Sequence, residues 1–240
     1  MTVINRRVAS IAALVLLAAG LSACGDSEPD QRKAFIAFLD EINHRSGVHF
    51  LVPKPEEQKA FGGYMKHYTV ITDFNKDFGT ASVEYEAQMK KLGIGPDSQA
   101  HSLEDMISRR PFYPAVKDET TKFMQTIQTR VAKANAERGA LQQPDDLKAS
   151  YDKAFDKLIS APTQAMIKSN IALIEFTESS ARIVDYINDH RTKIVLTGSQ
   201  VQTNDARIRS ELGALFASQK EVFQRFKDIQ RDGQRLVEGG

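Results

Sequence analysis

The chain reads as all-α: a helical bundle of about six to eight helices with one small β-hairpin before the last long helix. Three observations carry this expectation. Apolar residues recur at three- and four-residue spacing through most of the chain from Pro29 onward. Proline and acidic residues stand at the starts of several of these runs, where a helix tolerates a missing N–H and its dipole favours negative charge. One short β-branched segment, Lys193-Ile194-Val195-Leu196, is followed by the turn residues Thr197-Gly198-Ser199 and the alternating Gln200-Val201-Gln202, which together read as a hairpin.

Taken in order, Pro29 suits a helix first turn, and Phe35, Ile36, Phe38, Leu39 and Ile42 share one face up to Ser46-Gly47. Residues His49 to Pro53 read as an extended loop. A second helix is predicted to open at Pro55-Glu56-Glu57 and to carry a stripe of Phe61, Tyr64, Tyr68 and Ile71. Gly62-Gly63 weakens it by roughly 1 kcal/mol per glycine relative to alanine, and such pairs mark close helix packing. Helical patterning resumes from Thr80 to Leu92 and stops at Gly93-Ile94-Gly95-Pro96. Ser102-Leu103-Glu104-Asp105 reads as an N-cap, with Asp105 in the reciprocal position, for a short helix ending at Pro111. Val116, Phe123, Ile127 and Val131 carry a long helix towards Gly139. Pro144-Asp145-Asp146 starts another, with Leu147, Tyr151, Phe155 and Leu158 on one face.

Pro162 is predicted to open the most apolar helix. Ile167, Ile171, Ile174, Ala181 and Val184 form one stripe, and Leu173, Phe176, Ile183 and Ile187 a second beside it, an arc wide enough for a central position. After the hairpin, Asn204 is expected to cap the final helix. Its seam of Ile208, Leu212, Leu215, Val222, Phe226, Ile229 and Leu236, broken at Gln219 and Gly233, reads as packing within the bundle rather than as a dimer zipper.

The N-terminal residues read as an address. Asn5, Arg6 and Arg7 make a basic start, and Val8 to Ala23 is apolar or small throughout. That is the pattern of a secretory signal peptide, short of the roughly 20 apolar residues a membrane span needs. It ends at Leu21-Ser22-Ala23-Cys24, and Cys24 is the single cysteine of the chain. The tetrapeptide looks like a lipobox. In such signals diacylglycerol is added to the cysteine sulfur, the chain is cut before it, and the new amine is acylated, palmitate being a typical chain. The expected organisation is 1–23 signal peptide, 24–29 lipidated cysteine and short tether, and 30–240 a single helical periplasmic domain. Several acyl chains, at roughly 0.8 kcal/mol per buried methylene, hold a protein stably on a membrane. Gly25 stands where aspartate would signal inner-membrane retention, so the outer membrane is favoured over the inner, with Asp26 one place later arguing the other way.

Charge excludes one broad class. The chain has 32 Lys and Arg against 31 Asp and Glu. Removal of residues 1–23 takes away Arg6 and Arg7, leaving 30 against 31 over 217 residues. No block of like charge stands out, so the basic footprint of a nucleic-acid binder is missing. Once Cys24 is acylated no thiol remains for a disulfide or a thiolate metal site. There is also no tryptophan to stack on sugars or quaternary amines.

No catalytic, cofactor-binding or metal-ligating residue is assigned, and no cofactor is expected. His44, His49, His67, His101 and His190 include no His-Glu-x-x-His pair. His67, beside Tyr64 and Tyr68, reads as a hydrogen-bonded packing residue. Glu56-Glu57 and Asp145-Asp146 already have a reason to exist at helix first turns, ahead of acid–base work. Ser46, Ser102 and Ser199 lie in turns or caps, none in a Gly-x-Ser-x-Gly elbow. Arg109-Arg110, followed by Pro111-Phe112-Tyr113, mixes cations with aromatics. It is the candidate surface contact, for lipid headgroups or peptidoglycan carboxylates. The plainer reading is a solvated helix end followed by buried aromatics.

Asp30-Gln31-Arg32-Lys33-Ala34-Phe35-Ile36 with Phe38-Leu39, directly after the lipobox, resembles the start of the YiaF-like lipoproteins, a Gram-negative family known as a domain of unknown function. The likeness continues at Arg45-Ser46-Gly47, Gln58-Lys59-Ala60-Phe61-Gly62, Asp145-Asp146-Leu147-Lys148 with Ala154-Phe155, and the hairpin, covering essentially the whole chain after Cys24. It implies a lipid-anchored helical periplasmic domain and brings no activity and no catalytic residues. The expected function is therefore a membrane-anchored, non-catalytic interaction or scaffolding module, with membrane lipid as partner through Cys24 and an envelope protein as a further partner. The alternatives are a carrier of an apolar ligand such as lipid, in a cavity beside the broad-faced helix at Ile167 to Ile187, and an envelope hydrolase with dispersed residues.

Overall fold

The computed structural model describes residues 27–94, 102–197 and 200–240. Cys24, the signal residues, His101, the Gly95-Pro96 stop and the hairpin residues Gly198 and Ser199 lie outside them. Among the described residues the fold is helical with one two-stranded antiparallel hairpin.

Helix α1 spans Glu28–His44, with Pro29 and the acids Glu28 and Asp30 in its first turn, and buries Phe35, Phe38, Leu39 and Ile42. Helix α2 (Pro55–Phe61) starts where the sequence places it, and the Lys54 N–H donates to Glu57 Oε2 at 2.6 Å. The expected single helix through Ile71 is broken. Gly62, at φ +49° and ψ −123°, turns the chain out of α2 into one 3₁₀ turn, Gly62–Tyr64. Close packing explains the residue: a Cβ there would lie 2.1 Å from Gln31 Oε1 of α1. Helix α3 then runs unbroken over Met65–Lys91, where the sequence suggested a gap before Thr80. Phe74 and Phe78 continue its apolar stripe and stack at 5.9 Å, so the core carries the helix past Gly79.

Helix α4 (Leu103–Arg109) is capped as expected, the Asp105 N–H donating to Ser102 Oγ at 3.1 Å. A 3₁₀ turn at Arg110–Phe112 leads into α5 (Tyr113–Gly139). Helix α6 (Asp145–Phe155) passes without a loop through a five-residue π turn, Asp156–Ser160, into α7 (Ala161–Asp189). The Ala161 N–H bonds to the Asp156 carbonyl, five residues back. This wider turn admits Pro162, which has no N–H to give.

Strands β1 (Val195–Thr197) and β2 (Gln200–Gln202) pair Val195 with Gln202, Leu196 with Val201 and Thr197 with Gln200. Helix α8 (Ala206–Glu238) follows. Its cap is Asp205 rather than Asn204. Asp205 Oδ1 accepts from the N–H groups of Arg207 and Ile208 at 3.0 and 3.2 Å.

Helix α7 lies between α5 and α8, tied to the first by Lys117–Glu178 and to the second by Arg225–Glu175, both at 2.7 Å. Its buried side is not the apolar arc alone. Asn170, Thr177 and Ser180 are buried and donate to the carbonyls of Met166, Leu173 and Phe176 four residues back, whereas Ile171 is 46% exposed. Hydroxyls satisfied by their own helix can enter a core without an unpaired group.

The largest core cluster gathers α1, α2, the first half of α3, α6 and the π turn around Phe35, Leu39, Ile71, Tyr151 and Ile159. A second joins Leu103 of α4, Ile183 and Ile187 of α7, Ile194, and Ile208 and Leu212 of α8. Helix α8 reaches from the second cluster to the first. Its 33 residues make about 50 Å. Its far end is clasped onto the chain after α1: the Val48 N–H donates to the Val237 carbonyl at 2.9 Å and Ser46 Oγ to that of Gly239 at 2.5 Å.

Candidate functional site

The part of the fold nearest Cys24 in sequence is the first turn of α1, which begins at Glu28. Four residues of chain reach about 14 Å at full extension. At that turn, Arg32 lies 3.7 Å from Glu28 and 3.5 Å from Asp146, and the Tyr64 hydroxyl donates to Glu28. Burial, and then the Glu28 carboxylate, push the Tyr64 phenol above its ordinary value. Asp146 also accepts from the Leu147 N–H at 2.8 Å. Asp146 and Glu57 are thus engaged at helix starts, while Glu56 is exposed.

Beneath this turn sits His67, 2% exposed, among the rings of Tyr64, Phe35 and Tyr151 at 5.2, 6.4 and 6.4 Å. Its Nδ1 meets Gln143 Nε2 at 3.1 Å, and its backbone carbonyl accepts from the Tyr151 hydroxyl at 2.8 Å. Burial, and secondarily Lys66, hold the imidazole below its ordinary value of 6.5. A folded value below the unfolded one means that the unfolded chain takes up the proton first. The contribution of His67 is therefore fully present above about pH 6.5 and is lost as pH falls below it. Urea midpoints at pH 7.5 and 5.5 should fall on acidification in the parent protein, and this decrement should shrink in His67→Gln. An unchanged decrement would mean that other groups control acid stability.

Arg109 and Arg110 stand at the other core cluster. Arg110 Nε and Nη2 donate to the two Asp185 oxygens at 2.7 and 2.8 Å, a bidentate pair to α7. The Arg110 bond holds the Asp185 carboxyl below the usual carboxylate range. Arg109 donates to the Gly93 carbonyl at 3.4 Å. Of the aromatics that follow, Tyr113 is buried and bonds the Met106 carbonyl, but Phe112 is 46% exposed. Arg110 thus braces the turn before α5 to α7, Arg109 reaches the chain just after α3, and Phe112 is turned to solvent.

The tertiary cluster that sequence reading missed lies nearby. Glu211 of α8 accepts from Arg207 at 2.8 Å and from the Tyr186 hydroxyl of α7 at 2.5 Å, and Tyr186 stacks on His190 at 4.2 Å. Glu211 pushes the Tyr186 phenol up to about 12, and Arg207, then Tyr186, hold the Glu211 carboxyl down. The i,i+4 spacing of Arg207 and Glu211 was legible; Tyr186 needed the α7–α8 crossing. With both Glu211 oxygens engaged, the arrangement is a brace between helices.

Grooves open on the surface of the described residues. One of about 420 Å³ lies between β2 and α8, lined by Val201, Thr203, Arg209, Leu212, Gly213 and Phe216 among others. Another, of about 310 Å³, lies between α5 and α7, with Val131, Asn135, Thr163, Gln164 and Ile167 in its walls. Among the described residues no three His, Cys, Asp or Glu side chains are grouped to hold a metal ion, and no helix is long and apolar enough to cross a membrane.

Comparison with known proteins gives one family and one set of relatives. Residues 11–234 match the family model described as "Protein of unknown function (DUF3053)". The chain is 27% identical over 213 residues to the uncharacterized protein YiaF of Escherichia coli K12, covering 89% of this chain and 88% of that protein; YiaF of Shigella flexneri matches equally. No solved structure matches the chain.

Proposed function

This chain belongs to the DUF3053 family of proteins of unknown function, and we propose that it works as a lipid-anchored, non-catalytic interaction module of the cell envelope. The observation that carries this reading is the single cysteine at the end of Leu21-Ser22-Ala23-Cys24, behind a basic start and a short apolar run. Residues 1–23 are removed on export, Cys24 becomes the acylated N-terminus, and residues 30–240 form the periplasmic domain. Gly25 favours the outer membrane. Helix α1 opens so soon after Cys24 that the bundle is held close against its membrane. His67 in the core, Glu57 and Asp146 at helix starts and Arg110 in its pair with Asp185 are all engaged in holding the fold, which supports a role in contact rather than turnover.

The test is Cys24→Ser in the full chain. The parent is expected in the membrane fraction, beginning at Cys24 with the added mass of diacylglycerol and an amide-linked acyl chain; the variant, with no sulfur to acylate, is expected to carry no acyl mass and to retain residues 1–23. A parent recovered soluble and unacylated would overturn the anchoring. Native mass spectrometry of the gently purified variant also separates the carrier alternative: a reproducible bound mass of lipid size would favour it over an interaction module.

A further inference from the structure

Beside the seam that α8 packs on α7 runs a second stripe, offset by one residue. Arg209, Gly213, Phe216, Lys220, Phe223 and Lys227 follow at steps of four, three, four, three and four, the repeat by which one helix presents a continuous edge to another. No acidic residue interrupts it. Phe223 is 42% exposed although it touches Phe176 at 5.3 Å, and Lys227 Nζ lies 5.3 Å over its ring. Lys220 and Lys227 are exposed, and among the described residues neither enters an ion pair. At its hairpin end the stripe opens into the groove of about 420 Å³, where Arg209, Leu212 and Phe216 surround Gly213. A Cβ on Gly213 would meet nothing within 4 Å, so the floor there is open to an approaching chain.

We infer that this stripe is a docking face for an acidic amphipathic helix of a partner protein. From Arg209 to Lys227 it measures about 27 Å, or five turns. The partner sets apolar side chains at three- and four-residue spacing on Phe216 and Phe223, and carboxylates against Arg209, Lys220 and Lys227. Complementary charge of this kind sets encounter and register. A second copy of this chain is a poor occupant, because two-fold pairing through the stripe sets cation against cation: lysine against lysine if the helices run parallel, Arg209 against Lys227 if they run antiparallel. A lipid surface is a poorer fit than a helix, because the groove is a concavity that side chains fill. The stripe also begins at the hairpin cluster, away from the cluster that holds α1. The inference deepens the proposed interaction role and does not depend on acylation of Cys24.

The test places a photo-reactive benzoylphenylalanine at position 223 of the full-length protein in intact cells, with the same residue at Val83 of α3, 67% exposed, as control. The expected result is an adduct at position 223, not at 83, whose cross-linked peptide maps to an acidic segment with apolar residues at helical spacing. Lys220→Glu with Lys227→Glu should reduce that adduct at least about tenfold while circular dichroism stays unchanged. Adducts to lipid or to this chain itself, an adduct indifferent to charge reversal, or none at all would overturn it. Fractionation of the same cells reads anchoring separately, so failure of docking and failure of anchoring are distinguishable.

Discussion

Phe35→Ala is expected to lower the unfolding free energy by about 3–5 kcal/mol, the range for deleting a buried phenyl ring. Phe35 is fully buried at the centre of the larger cluster. Its ring lies 5.3 Å from Phe61, 6.1 Å from Tyr64 and 6.4 Å from His67, so α1 meets α2 and α3 through it. The vacated space cannot close, because Tyr64 is held by Glu28 and His67 by Gln143. For a chain of this size each kcal/mol moves the midpoint of thermal unfolding by roughly 2–4 °C. Urea titration should show a lower midpoint at an unchanged slope. A loss under about 1 kcal/mol would mean that the N-terminal cluster repacks freely.

Gly47→Ala is expected to act through the backbone. Gly47 has φ +71°, and a Cβ there would lie 2.4 Å from the Val237 carbonyl oxygen. Side-chain residues in such a conformation carry about 1–3 kcal/mol of strain. The overlap is with main chain, so the last turn of α8 must shift away from Ser46 and Val48. Amide exchange should therefore quicken at Val48 and over the C-terminal turns of α8, together with a fall in thermal stability. Gly79→Ala supplies the contrast: mid-helix, with nothing within 4 Å of the added carbon, it should gain about 0.5–1 kcal/mol. Equal effects of the two substitutions would show that the clasp contributes nothing.

The architecture was legible where apolar spacing and helix-end chemistry agree. Phe35, Phe38, Leu39 and Ile42 of α1, the Ser102 cap and the pairing of Leu196 with Val201 all follow from local pattern. Misreadings arose where a tertiary neighbour decides. Gly62 breaks the helix at its contact with Gln31. Asp205 rather than Asn204 caps α8, a one-residue choice between two side chains of equal aptitude. The buried Thr177 and Ser180 look like surface to any hydropathy pattern, because their hydroxyls are satisfied within their own helix. The stripe on α8 was present as spacing, yet the neighbouring seam of Ile208, Leu212 and Leu215 absorbs the same periodicity and masks it. Only the burial of Ile208 and Leu212, beside the exposure of Phe223, separates the two faces.

The clasp also bears on the order of folding events. Ser46 and Gly239 are 193 residues apart in the chain. Closing so long a loop is entropically costly, and contacts of this separation form after local helix pairs. The α7–α8 pairing near the hairpin needs only a short connection and can precede it. Contacts absent from the folding transition state govern how fast the native state is lost rather than how fast it is reached. The far end of α8, exposed along nearly all of its last ten residues and last secured, is then expected to be the first segment to open under native conditions, ahead of the bundle it is clasped to.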